Sequence, residues 1–202
     1  MTTGVPVAVE GDTDEPFAHR VVVASGLQVD RVLVLNGHGN LDSRVARWCE
    51  ASNRRPMLVL RDLDPSLGHD CAPALVRHLS GGGIRTSTTL VRIAQREIES
   101  WLLADRQAVS SYFHVRPGAV PATPDLEPDP KLTLVNLCRS STSSRIRRGM
   151  VPSAEAGRQV GPEYTGLILG FATGGWDVQR ARRASPGLDR AIAALELFAK
   201  MG

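Results

Sequence analysis

Val5-Pro6-Val7-Ala8-Val9-Glu10-Gly11-Asp12-Thr13-Asp14 opens the chain with a short β-branched run that stops on a carboxylate and a glycine turn. A run of this length bounded by turn residues is the signature of a buried strand, and the turn leads into a helical pattern over Asp14–Ser25. The same grammar repeats three times. Arg31–Gly37 (RVLVLNG), Pro56–Asp62 (PMLVLRD) and Thr88–Ala94 (TTLVRIA) read as further strands. Between them, Leu41–Asn53 reads as a helix capped by Asn40, and Cys71–Leu79 as one capped by Asp70. Strands alternating with helices predict an open, mainly parallel four-stranded sheet with helices on both faces, an α/β fold of Rossmann-like type.

Past the fourth strand the pattern predicts one long helix over Arg96–Phe113. A proline-rich crossing segment follows at 116–130, then a short helical pattern over Lys131–Cys138, and a serine-rich basic stretch, RSSTSSRIRRG. The last helix is capped by Ser185, has Pro186 in its first turn, and carries an apolar stripe of Leu188, Ile192, Leu195 and Phe198 or Ala199. The expected organisation is a core over 1–114 and a helical C-terminal extension over 115–202.

Composition narrows the function classes. The 202 residues carry a formal charge of +3, with Lys131 and Lys200 as the only lysines, which permits a phosphate-rich partner without requiring one. Aromatic content of 4% disfavours a single-strand binder built on stacked rings. No apolar run reaches the roughly 18 residues of a membrane span, and acidic residues precede any signal-like core, so a cytoplasmic protein with no membrane partner is expected. Cys49, Cys71 and Cys138 lack metal or disulfide spacing and read as small buried hydrophobes.

The chemistry concentrates at strand ends. In an open parallel sheet, ligands bind outside the carboxyl ends of the strands. Strand one ends at Glu10, and strand three ends in Leu60-Arg61-Asp62-Leu63-Asp64. If those strands are neighbours, Glu10, Asp62 and Asp64 converge, and three crowded carboxylates call for a hard cation, Mg²⁺ or Mn²⁺. Glu97 and Glu99 follow the fourth strand and are candidate supplementary metal ligands, although a helix would point them in different directions. Asp14 is either a helix cap or an outer ligand. Lys131 would offer a cation to a phosphate or oxyanion, and Arg145, Arg147 and Arg148, with Arg139 ahead of the serine-rich stretch, would hold a nucleic-acid backbone. Gly37-His38-Gly39-Asn40 could present amides to a phosphate but reads in the first place as a tight turn.

The Glu10–Asp14 run resembles the opening motif of Toprim domains, and Asp62-Leu63-Asp64 resembles their DxD motif. Arg96-Glu97-Ile98-Glu99-Ser100-Trp101-Leu102-Leu103-Ala104-Asp105 and Asp129-Pro130-Lys131 are similar to the uncharacterised bacterial family called domain of unknown function 4276, a Toprim-like relative of the OLD-type nucleases. The resemblance covers most of the chain, although Asp14 stands where that motif often has a glutamate. It implies a metal-dependent phosphodiester hydrolase or transferase, a nuclease, in which Asp62 and Asp64 bind Mg²⁺ and Glu10 binds metal or acts as general acid/base, acting in bacterial defence. Two other readings remain. One is a non-catalytic binding or regulatory module that partners a separate ATPase, since the chain has no P-loop. The other is a phosphatase or phosphotransferase with an aspartyl nucleophile, ranked lower because its DxD would belong on the first strand.

Overall fold

Four parallel strands form one sheet in the order β2-β1-β3-β4, so the first strand pairs with both the second and the third. The computed structural model describes residues 4–51, 57–64, 68, 71–82, 88–154 and 157–201. Two units are distinguished, residues 1–95 with 189–202, and residues 96–188.

The first unit holds β1 (Gly4–Val9), α1 (Glu15–Ala24), β2 (Gln28–Val34), α2 (His38–Ala51), β3 (Met57–Asp62), α3 (Ala72–Leu79) and β4 (Thr89–Ala94). Strands one, three and four fall where the apolar runs place them. Ala8, Val59, Val91 and Ile93 pack with Leu41 and Val45 of α2 and Leu75 and Leu79 of α3 in one apolar cluster. Side chains alternate along a strand, so Val7, Val9, Leu58 and Leu60 turn to the opposite face, and all four are buried. Burial on both faces explains why β1 and β3 lack polar alternation. Helix α1, none of whose buried residues joins that cluster, packs against β1 and β2.

Several boundaries differ from the sequence expectation, each for a physical reason. β2 begins at Gln28 because Gly4 and Val5 of β1 pair with Gln28 and Val29. It is an edge strand, and the polar Gln28, Asp30 and Arg31 are tolerated there. Helix α2 begins at His38 rather than after Asn40, and the Asn40 side chain donates back to Leu35 O at 3.0 Å. Cys71, exposed and not buried, occupies the N-cap position of α3. Pro56 and the expected cap Asp70 lie outside the described residues.

The second unit is helical. The long helix expected over Arg96–Phe113 is two: α4 (Glu99–Leu103) and α5 (Arg106–Phe113). Asp105 breaks them by accepting from Ala108 N at 3.2 Å as the cap of α5. Two 3-10 turns, Pro117–Ala119 and Pro124–Leu126, carry the proline-rich segment. Then come α6 (Pro130–Arg139), capped by Asp129, and α7 (Ser144–Met150), capped by Ser143. The serine-rich basic stretch is therefore partly helix, with Ile146 and Met150 buried one turn apart. Helices α8 (Tyr164–Gly174) and α9 (Val178–Ala181) follow. The last, α10 (Pro186–Met201), starts in this unit and passes into the first after Leu188. Its Ser185 cap and its buried Leu188, Ile192 and Leu195 are as expected. Among the described residues no helix is long and apolar enough to cross a membrane.

Candidate functional site

The chain leaves β1 for β2 on one side, then returns across β1 to build β3 and β4 on the other. That reversal is a topological switch point, where the loops beyond the strand ends diverge and open a crevice. Glu10 follows β1, Asp62 ends β3, and Asp64 lies two residues further on.

Glu10 links the ends of β1 and β3. Its Oε1 accepts from Asp62 N at 2.8 Å and from Arg61 Nη1 at 3.2 Å. Arg61 also pairs with both carboxylate oxygens of Asp42 on α2, at 3.0 and 3.2 Å, and donates to Asp62 O. Only 3% of Arg61 is exposed, so a full positive charge sits among these acids inside the unit. Burial acts to lower its pKa, but the hydrogen bond to Asp42 and the charges of Glu10, Asp42 and Asp62 outweigh this and raise it. Arg61 and Asp42 are the site residues that sequence reasoning missed. Their signal was an arginine inside a strand otherwise apolar enough to be buried on both faces.

Strand alternation explains how the acids divide. Val59 and Leu63 belong to the α2–α3 face, and Arg61 reaches α2 from the same side. Asp62 therefore turns to the other face at the end of β3, and Asp64 lies beyond the strand, where alternation no longer sets its direction. Glu10 has the phase of Ala8 and meets Arg61. Among the described residues, no three His, Cys, Asp or Glu side chains gather into a group able to hold a metal. The expected need for a cation to relieve three crowded carboxylates is thus met in part by Arg61. The donors do suit a sparse site. Mg²⁺ commonly takes only one or two carboxylates and completes its shell with water and substrate phosphate.

The turns around this edge are tied by main chain. Gly37, at φ 114°, donates its amide to Glu10 O at 2.9 Å, so the Gly37–Asn40 loop holds the Glu10 turn. Asp14 precedes α1, and its Oδ2 accepts from Gly11 N at 2.9 Å, which closes the turn.

Glu97, Glu99 and Lys131 form a separate cluster in the second unit. The helix starts only at Glu99, after Arg96 at φ 67°, so both glutamates reach one partner instead of diverging. Lys131 Nζ lies 3.0 Å from Glu97 Oε1 and 3.7 Å from Glu99 Oε1. Glu97 Oε2 also accepts from Lys131 N at 3.0 Å, in the first turn of α6. Tyr164 OH donates to Glu99 Oε1 at 2.7 Å. Burial raises the Glu99 pKa and is joined by the Glu97 charge, while Lys131 and the Tyr164 hydrogen bond only partly oppose it. Burial and the adjacent Glu99 charge raise the Tyr164 pKa as well.

A pH-dependent stability follows. With its folded pKa raised, Glu99 contributes stability that is complete below the unfolded value of about 4.3 and is lost as pH rises through the folded value. Glu99→Gln keeps an acceptor for Tyr164 but removes the titration. Its unfolding free energy, taken as variant minus wild type from urea melts at pH 4 to 8, is expected to climb with pH. A flat difference would show that Glu99 titrates as an exposed carboxyl does.

Arg145, Arg147 and Arg148 lie exposed on α7. Arg147 and Arg148 line a cavity of about 750 Å³ together with Arg139 and Arg158, whereas Arg145 is not among its lining residues. Between the lining residues Val160 and Pro162, Gly161 donates to Met150 O at 2.9 Å. A Cβ at Gly161 would meet Gly149 O at 2.3 Å and Met150 C at 2.6 Å, both backbone, so only glycine allows this approach. Cys138 is buried and its thiol is pushed up to about 12, which leaves it unreactive.

Compared with protein-family profiles, characterised proteins and solved structures, the chain matches none, so the class it shows is that of an α/β protein with a four-stranded all-parallel sheet.

Proposed function

We propose that the first unit is a Toprim-like domain and that the protein is a metal-dependent phosphodiester hydrolase or transferase, a nuclease of bacterial defence. The observation that supports this most is the adjacency of β1 and β3, whose acidic ends meet at the switch point of the sheet. In this reading Asp62 and Asp64 hold Mg²⁺ or Mn²⁺ together with a phosphate of nucleic acid. The ion supplies charge neutralisation at the phosphoryl oxygens and activation of the attacking water. Glu10 fixes the Asp62 backbone through Oε1 and so positions the loop that carries the two proposed ligands. Arg61 locks Glu10 in one orientation and reduces the negative charge that an incoming polyanion meets. Glu97, Glu99 and Lys131 position α6 rather than ligate.

Mn²⁺ titration by electron paramagnetic resonance, alone and with single-stranded DNA or RNA, tests this against cleavage of both. The Asp62→Ala, Asp64→Ala protein is expected to bind Mn²⁺ at least about tenfold more weakly and to lose cleavage, a change of roughly 1.4 kcal/mol in binding. Equal Mn²⁺ binding by both proteins would sink the site.

Arg61 supports a second reading. A guanidinium that already balances Glu10 and Asp42 suits a binding module that uses no metal and partners a separate ATPase. That module would bind nucleic acid equally well in chelator and would cleave nothing.

A further inference from the structure

We propose that the arginine-lined cavity of the second unit binds a nucleotide, with its arginines on two or more phosphoryl groups and its apolar wall against the nucleoside. This goes beyond the carboxylate reading and rests on different residues.

Arg139, Arg147, Arg148 and Arg158 converge on one cavity of about 750 Å³. None of the four forms an ion pair with a carboxylate among the described residues. Four like charges around one opening repel, and a polyanion relieves that repulsion. Two of them are pre-set. Arg139 Nε donates to Asn136 Oδ1 at 3.1 Å, and Arg147 Nη1 donates to Ser141 O, which leaves each guanidinium further donors for an oxyanion.

Helix dipoles are the competing explanation, since Arg139 ends α6 and Arg147 and Arg148 end α7. They do not account for Arg158, which lies in no helix, nor for the convergence on a single cavity. Size decides between ligands. A space of this volume falls in the usual range for a whole small molecule, roughly 300–1,000 Å³, and exceeds what a lone phosphate fills. Val151 and Val160 add an apolar surface that inorganic phosphate would leave unused. Phosphates joined to a flat, partly apolar body meet both demands, and a free nucleotide or the phosphorylated end of a strand would supply them.

Calorimetry on the full chain in chelator separates this from the metal site. The probes are adenosine triphosphate, a 5′-phosphorylated oligothymidylate, the same oligomer without its phosphate, adenosine and inorganic phosphate. Binding of the triphosphate or the phosphorylated oligomer is expected, at least tenfold tighter than adenosine or phosphate. Whichever binds more tightly identifies the source as free nucleotide or strand end. Arg147→Ala with Arg148→Ala should weaken it at least tenfold, and Val160→Trp, which puts a bulky ring where the apolar wall would meet the nucleoside without changing charge, should weaken it as well. Arg116→Ala, which removes one charge at an exposed site outside the cavity, should leave it unchanged. Circular dichroism confirms that each variant is folded. The proposal is overturned if neither phosphorylated probe binds, if Val160→Trp binds as wild type does, or if Arg116→Ala costs as much as the paired arginines.

Discussion

Arg61→Ala is expected to destabilise the first unit by about 3–5 kcal/mol, the usual cost of removing one member of a buried charge pair. The side chain of Arg61 is 2% exposed, and those of Glu10 and Asp42 are 18% and 25% exposed. Truncation therefore leaves two largely covered carboxylates facing each other without their counter-charge. Arg61→Met should cost less, because the thioether refills the volume near Leu63 while the acids still lose their partner. A double replacement, Arg61→Met with Asp42→Leu, should recover part of the loss, since an apolar pair in place of an ionic one is often neutral or better. Urea unfolding followed by far-ultraviolet circular dichroism measures all three. If Arg61→Ala unfolds at the wild-type urea concentration, the guanidinium contributes nothing net and cannot be what organises Glu10 and Asp42.

The sheet was legible because its inner strands are buried on both faces. β1 and β3 announce themselves as apolar runs whose ends are marked by an acid, and β4, at the other edge, as an apolar run without one. β2 was placed three residues late because an edge strand needs no apolar start, and its pairing is set by β1 rather than by its own side chains. The break between α4 and α5 was missed for another reason. Asp105 looks like an exposed residue ending a helix face, and its role depends on partners 72 and 75 positions away that no local pattern reveals. The capping function of Ser143 was hidden among its serine neighbours, only one of which lies at the right offset from Ile146.

The candidate site divides in the same way. Adjacency of Glu10 and Asp62 followed from topology once β1 and β3 were taken as neighbours. Strand phase is readable by residue parity along β3, and it separates Asp62 from Arg61 and Glu10 instead of gathering three acids. Arg61 was in view between Leu60 and Asp62 and received no role, although a charged residue at the core of a buried strand requires a partner. Glu97 and Glu99 converge because Arg96 adopts a left-handed backbone and delays the helix, a conformation with no signal in this composition. The arginines were grouped by sequence proximity, which included Arg145 and omitted Arg158. The cavity groups them by space.

Asp105→Ala is expected to cost the second unit about 3 kcal/mol, from a lost helix cap near 1 kcal/mol and charge-assisted hydrogen bonds of roughly 1.5–3 kcal/mol. Only 1% of the Asp105 side chain is exposed, and it gathers four donors: Ala108 N at 3.2 Å, Asp177 N at 2.8 Å, and Arg180 Nε and Nη2 both at 2.9 Å. It thereby caps α5 and ties that helix to the start of α9. Arg180→Ala should cost much less, near 1 kcal/mol, because its guanidinium is 39% exposed and solvent screens its share of the pairing. Asp105 would keep both backbone donors in that variant. The two substitutions should be non-additive by the energy of the shared contact, so a thermodynamic cycle over both isolates it. Asp105→Asn separates cap from charge. Its one amide oxygen can still accept from Ala108 N, but its amide nitrogen would face both Arg180 Nη2 and Asp177 N, so its cost should lie close to that of alanine if those contacts dominate and well below it if the cap does. Equal costs for Asp105→Ala and Arg180→Ala would mean that the backbone donors add nothing, and that the junction of α5 and α9 is held by the ion pair alone.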